Sequence, residues 1–238
     1  MNLPAALTKV PLIAMGCAFN NDTRRKGKQV MNIKKTFGFV VFASIVFTSS
    51  ICFGEAHFDF EANANQDTLE IQLGRTWEED ISTFLTSISM GVLYSDDIYT
   101  IANAKFGLGT TNLFDNLTIQ FGFKGVIGTV DEDNRDADVG AVGAFFSLLY
   151  PFNVPLIRDD PDNPLFDISM EICWAPSPVS FGDLDRYNDF KTALGFRILP
   201  KTGTIMVGFR SVNAKFNKDF NNWEKKDSAF FLGFKFSL

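Results

Sequence analysis

The chain has 238 residues, a length that suits one domain of the barrel or sandwich kind or two small ones. Its charge is split: residues 1–54 carry seven Lys or Arg against one acid, leaving 15 bases and 27 acids in residues 55–238. An acidic body without a basic stripe excludes nucleic acid as an expected partner. Of Cys17, Cys52 and Cys173, only the last lies beyond residue 54, which excludes a disulfide framework or a cysteine-held metal site in the body.

Residues 1–30 fit no targeting scheme and are expected to be an extension ahead of the true start at Met31. From there Met31-Asn-Ile-Lys-Lys-Thr-Phe is cationic, Phe37–Phe53 is an uncharged apolar run, and Gly54 and Ala56 supply small residues. That order is the secretory signal pattern, so residues 31–54 are expected to be a cleaved Sec-type signal peptide. Two rival readings are a membrane-anchoring helix and a signal with a long cationic front end around Arg24-Arg25-Lys26. The apolar run is 17 residues, at the bottom of the range for a spanning helix, and no basic cluster follows it. Ile51 stands where a lipid-attachment signal at Cys52 would want a small residue.

From residue 55 the period is two. Phe58, Phe60 and Ala62 alternate with Asp59 and Glu61; Leu69, Ile71 and Leu73 alternate with Glu70, Gln72 and Gly74. Leu117, Ile119, Phe121 and Phe123 alternate with Thr118, Gln120, Gly122 and Lys124. Val139–Tyr150 is apolar on both faces and is bounded by acidic turn residues and Pro151. Further on, Phe166, Ile168, Met170, Ile172 and Trp174 alternate with Asp167, Ser169, Glu171 and Cys173. Phe190, Leu194, Phe196 and Ile198 alternate with Lys191, Ala193, Gly195 and Arg197. The last run sets Phe230, Leu232, Phe234, Phe236 and Leu238 against Phe231, Gly233, Lys235 and Ser237. Turn-forming clusters separate these runs. Ten strands follow, near 56–63, 68–77, 83–94, 98–108, 116–129, 138–150, 165–175, 188–199, 203–214 and 228–238, with eight as the fallback count.

No 18-residue apolar run exists beyond residue 55, so a sheet rather than a helix must do any spanning, and in lipid that sheet must close. The expected fold class is all-β, a closed antiparallel transmembrane β-barrel over residues 55–238. Three features favour an apolar outer face: isolated charges among glycines on the polar faces, 27 Phe in all with aromatics near strand ends, and a crude alternation of turn lengths. Trp77, Tyr94, Tyr99, Tyr150 and Trp174 sit where interfacial girdle residues would. The loops 131–137, 176–187 and 215–227 are long and acidic or Asn-rich, whereas 78–82 and 199–203 are short; Phe152–Pro164 breaks the pattern. Apolar residues at alternate positions to the end of the chain (Phe230, Leu232, Phe234, Phe236, Leu238) form the expected C-terminal signal for the barrel-insertion machinery. Leu238 stands where an aromatic is usual.

Cys173-Trp-Ala-Pro-Ser, Tyr187-Asn-Asp-Phe-Lys-Thr-Ala-Leu-Gly-Phe-Arg-Ile-Leu-Pro-Lys and Val207-Gly-Phe-Arg-Ser-Val-Asn together resemble the YfaZ family of small outer-membrane proteins. The resemblance covers roughly 165–215, and the insertion at Phe152–Pro164 departs from it. It implies a signal peptide and an outer-membrane barrel, and no catalytic residues.

Catalysis is not expected, and neither is a cofactor. Serine hydrolysis generally needs a His, and the only one is His57, at the start of the first strand. The acid pairs Asp96-Asp97 and Asp159-Asp160 read as turn formers. Asp131–Asp138 lacks the glycine and the terminal glutamate of an EF-hand loop, so no metal site is assigned there. With the apolar faces in lipid, Glu70, Lys105, Lys124, Asp167, Glu171, Lys191, Arg197, Arg210 and Lys235 are expected in the lumen, pairing and filling it. The expected partners are outer-membrane lipid, lipopolysaccharide and the insertion machinery. Three functions stay open: a structural or interaction barrel of a Gram-negative outer membrane, with passage at most of very small solutes; a lipid-modifying outer-membrane enzyme; and a soluble periplasmic barrel holding an apolar ligand. N-terminal sequencing of protein from an outer-membrane fraction should find Glu55 or His57 first, and a retained Met31–Phe53 segment would remove the case for cleavage.

Overall fold

The computed structural model describes residues 56–78, 83–96, 98–113, 116–132, 135–155, 157, 163–199, 202–218 and 221–238. The expected extension at 1–30 and signal at 31–54 lie outside these residues.

Ten long strands build the wall: β1 (Ala56–Ala64), β2 (Thr68–Glu78), β3 (Phe84–Ser95), β4 (Tyr99–Leu113), β5 (Leu117–Glu132), β6 (Arg135–Phe152), β7 (Phe166–Ala175), β9 (Leu184–Leu199), β10 (Gly203–Lys218) and β11 (Asn221–Ser237). A 3-10 turn at Ser177–Val179 and a short strand, β8 (Ser180–Gly182), come between β7 and β9. Every pairing is antiparallel, and all join neighbours in the chain except β7 with β9, β8 with β6 beyond the end of β7, and the closing pair of β1 with β11. The ring closes where β1 meets β11, from Asp59 opposite Ser237 to Ala64 opposite Leu232. Beside that ladder, Phe58 and Leu238 exchange two backbone hydrogen bonds of 2.8 Å. One rim, the terminal rim, carries the start of β1 at Ala56 and the C-terminal Leu238, and the far rim carries the β1–β2, β3–β4, β5–β6 and β10–β11 turns.

Strand residues alternate between the two faces of a sheet, so the register decides which set meets the surroundings. Each of the ten long strands sends at least one large apolar side chain outward. Phe60, Leu73, Val92, Phe106, Phe123, Phe146, Ile172, Phe196, Val207 and Phe230 are each exposed, from 37% at Val92 to 75% at Phe230. An apolar belt that runs right round the sheet far exceeds the patch a water-soluble monomer exposes. A soluble barrel with an apolar ligand inside would need the opposite orientation. Trp77, Tyr94, Tyr150 and Trp174 also face outward, and at the terminal rim Tyr150, Phe152, Phe166 and Phe196 form a row with ring centroids 5.6–6.3 Å apart. Tyr99 corrects the expected girdle: it is 5% exposed, inside the barrel, with its hydroxyl on Asp227.

The strands overrun their expected limits at the far rim. The loops expected at 131–137 and 215–227 are tight hairpin ends, with β5 and β6 paired up to Glu132–Arg135 and β10 and β11 up to Lys218–Asn221. Above the belt the outer positions of β11 turn polar (Asn222, Glu224, Lys226, Ser228), so the alternation fades while the hydrogen-bond ladder continues. The segment 176–187 holds β8 and the first residues of β9 instead of open loop.

Replacing Phe123 with Arg should cost about 2–4 kcal/mol, as for a cation near mid-membrane, and Thr129→Arg, farther along β5 toward the far rim, about 1 kcal/mol or less. Urea titration of protein refolded into lipid vesicles reads both; equal costs would mean that Phe123 does not face lipid.

Candidate functional site

The inward side chains fall into levels. At the far rim Val130, Val139, Ala141, Ala175, Tyr187, Val212 and Phe216 form a buried apolar cluster, each at 5% exposure or less. Trp223 stacks on Phe216 with ring centroids 4.2 Å apart, and the Arg135 guanidinium lies 6.0 Å from the Trp223 ring. This level explains why Val139–Tyr150 is apolar on both faces: Val139, Ala141 and Phe145 pack inside while Val142 and Phe146 face out.

The next level is a chain of eight alternating charges. Lys105 lies 2.7 Å from Glu171, and Glu171 lies 3.0 Å from Lys124. Lys124 is 2.6 Å from Asp189, whose carboxylate is 3.2 Å from Arg210. Arg210 is 3.0 Å from Glu70, Glu70 is 2.9 Å from Lys191, and Lys191 ends the chain on Glu61. Asn63 ties the end together, donating to Glu61 at 2.6 Å and to Glu70 at 2.9 Å. Four cations face four carboxylates, so the level carries no net charge, and each buried charge has the partner that its loss of water demands.

Phe145 and Phe231 lie one step closer to the terminal rim than the strand partners of Lys124 and Arg210. Glycine makes room for both rings. A Cβ on Gly107 would stand 2.8 Å from the Phe145 ring, and one on Gly208 would stand 2.4 Å from that of Phe231. Beyond them the interior opens into a cavity of about 180 Å³ and, at the terminal rim, a second of about 500 Å³. Arg197 meets Asp167 at 3.3 Å there, and Lys235 meets Asp59 at 3.5 Å.

The nine charges named from sequence (Glu70, Lys105, Lys124, Asp167, Glu171, Lys191, Arg197, Arg210 and Lys235) all lie on inward faces. Seven pairings join six of the nine, together with Glu61 and Asp189, into the eight-member chain, while Asp167, Arg197 and Lys235 sit nearer the rim. Asp59, Glu61 and Asp189 went unnamed as lumen charges, although their parity with Asn63 and Lys191 on β1 and β9 was there to be read. Phe230, Leu232, Phe234, Phe236 and Leu238 share the outer face at the end of β11, and His57 is exposed at the terminal rim.

A closed antiparallel sheet, apolar outward on every long strand and charged within, defines a membrane-spanning β-barrel. No protein-family model matches the chain, and no curated protein does. Among solved structures, the KdgM porin is 12% identical over 76% of this chain and 99% of its own, with a TM-score of 0.36. The KdgM porin in complex with disordered oligogalacturonate is 14% identical over 76% and 99%, with a TM-score of 0.34. The outer membrane protein Omp33 of Acinetobacter baumannii is 9% identical over 78% and 98%, with a TM-score of 0.29. Values this low transfer neither ligand nor activity.

Asp189→Leu should destabilise the barrel by about 3–5 kcal/mol, because Lys124 and Arg210 each lose a buried partner. Glu224→Gln, at the exposed Lys226 pair, should leave the urea midpoint unchanged. Equal midpoints for the two variants would mean that water, not the charge chain, compensates Lys124.

Proposed function

We propose that the chain is an integral protein of a Gram-negative outer membrane, exported by the signal expected at 31–54, with a barrel closed to diffusion and a structural or interaction role. The filling of the lumen carries this reading. Tyr187, Phe216, Val130 and Ala141 are 0–1% exposed at the far level, next to a charge chain balanced four to four. An ion crossing that level would shed its water against apolar side chains that offer nothing in return, and such constrictions block by dewetting. The charges beyond it are engaged with one another, which leaves few of them to draw an ion toward that level.

The outward belt supports lipid and lipopolysaccharide as the surroundings. The run Phe230, Leu232, Phe234, Phe236 and Leu238 on the last strand is the segment proposed for recognition by the insertion machinery. The resemblance to the YfaZ family over roughly 165–215 agrees with an outer-membrane barrel and supplies no reaction.

Planar-bilayer recordings of the unmodified protein should show no steady conductance. Tyr187→Ala combined with Phe216→Ala should open a leak, since both side chains fill the far level. Steady, ion-selective currents above the order of tens of picosiemens from the unmodified barrel would overturn the closed reading.

A further inference from the structure

The far level and the charge chain account for closure, which leaves the terminal third of the lumen. Its two cavities share Asp59, Glu61, Thr76, Gln120, Ser169 and Lys235 in their walls, so they form one well. The well opens at the terminal rim, where His57 and Ser237 lie, and Phe145 lines its inner end. The inner cavity of about 180 Å³ has room for about six waters, or for one molecule of about a dozen non-hydrogen atoms.

The charges in this wall are largely committed to each other: Lys105 with Glu171, Lys191 with Glu61, Arg197 with Asp167 and Lys235 with Asp59. The groups with spare hydrogen-bonding capacity are neutral. Gln72 accepts from Lys105 at 3.2 Å and Gln120 accepts from Ser87 at 2.9 Å, each through Oε1, which leaves both amide nitrogens free to donate. The hydroxyls of Thr76, Ser89 and Ser147 line the same cavity, and a hydroxyl both donates and accepts. Phe145 adds a ring against which C–H groups can lie. An ionic guest in the inner cavity would leave water for lysines and carboxylates already paired with one another, and an apolar guest would strand the amides and hydroxyls without partners.

We infer that this well is a binding site for a neutral polyhydroxylated solute of monosaccharide size, entering from the terminal rim. It rests on the proposed function only for which side of the membrane that rim faces. The test is saturation-transfer NMR on the barrel purified from membranes in a sugar-free amine-oxide detergent, with D-glucose, D-mannitol, D-glucuronate and D-glucosamine as probes. Glucose or mannitol should bind with an affinity on the order of millimolar, and the charged probes about tenfold more weakly or worse. Gln120→Leu and Ser147→Val should each weaken the neutral probes about tenfold with heat-modifiable migration on gels retained, and Phe121→Ala on the outer face should change nothing. If one well variant does not fold, the other decides. Binding by neither neutral probe, a preference for a charged one, or undiminished binding in a folded well variant would overturn the assignment. A bilayer current from the unmodified protein would count against closure alone, and the titration would still decide the well.

Discussion

Backbone hydrogen bonding in lipid governs this molecule. A strand edge facing hydrocarbon leaves N–H and C=O groups with no partner, at a cost of several kcal/mol each, so the sheet must close. Closure depends on the β1–β11 seam, where the first and last described strands meet. The register of that seam keeps the inward face of β1 in phase with that of β11, with Glu61 opposite Lys235 and Phe60 opposite Phe236. A slip of one residue there would set an inward side chain of one strand against an outward one of the other.

The interior then meets a second constraint, because a lumen of ten strands is too narrow to hydrate so many charges freely and too wide for small residues alone to fill. Two solutions are stacked along the axis. Near the far rim, aromatic and branched side chains pack as a soluble core would, with Phe216, Trp223 and Tyr187 supplying the volume. Next to it lies the alternating charge chain, in which every cation but Lys105 lies between two carboxylates. The order suits the strands: the far-rim hairpins rise beyond the apolar belt and can share an apolar interior among themselves.

The polar well is what remains when these two levels stop short of the terminal rim. Its walls come from β1 to β7 and β9 to β11 alike, so no single segment of sequence announces it. The charges of its inner cavity close on one another, and Phe145 lines its inner end.

Period-two alternation, with the turn-forming clusters between runs, was enough to determine the all-β class and the ten long strands, since side-chain direction in a strand is a local property. It also placed Phe230, Leu232, Phe234 and Phe236 on one outer face. Strand ends were legible only inside the belt. Beyond it the outer positions of residues 211–217 and 222–228 are polar, and the hydrophobic signal fades while the backbone ladder does not. Which charges meet was not legible at all: Lys105 and Glu171 are 66 residues apart, and Lys191 and Glu61 are 130. Tyr99 read as a girdle residue because its neighbours resemble an interface, yet the hydroxyl of Asp227's partner could be placed only once β4 and β11 stood across the lumen from each other. Sequence by itself separated inside from outside along the alternating runs, though not at Tyr99; tertiary structure alone decided how the inside is filled, because closing the ring brings together residues that no local pattern relates.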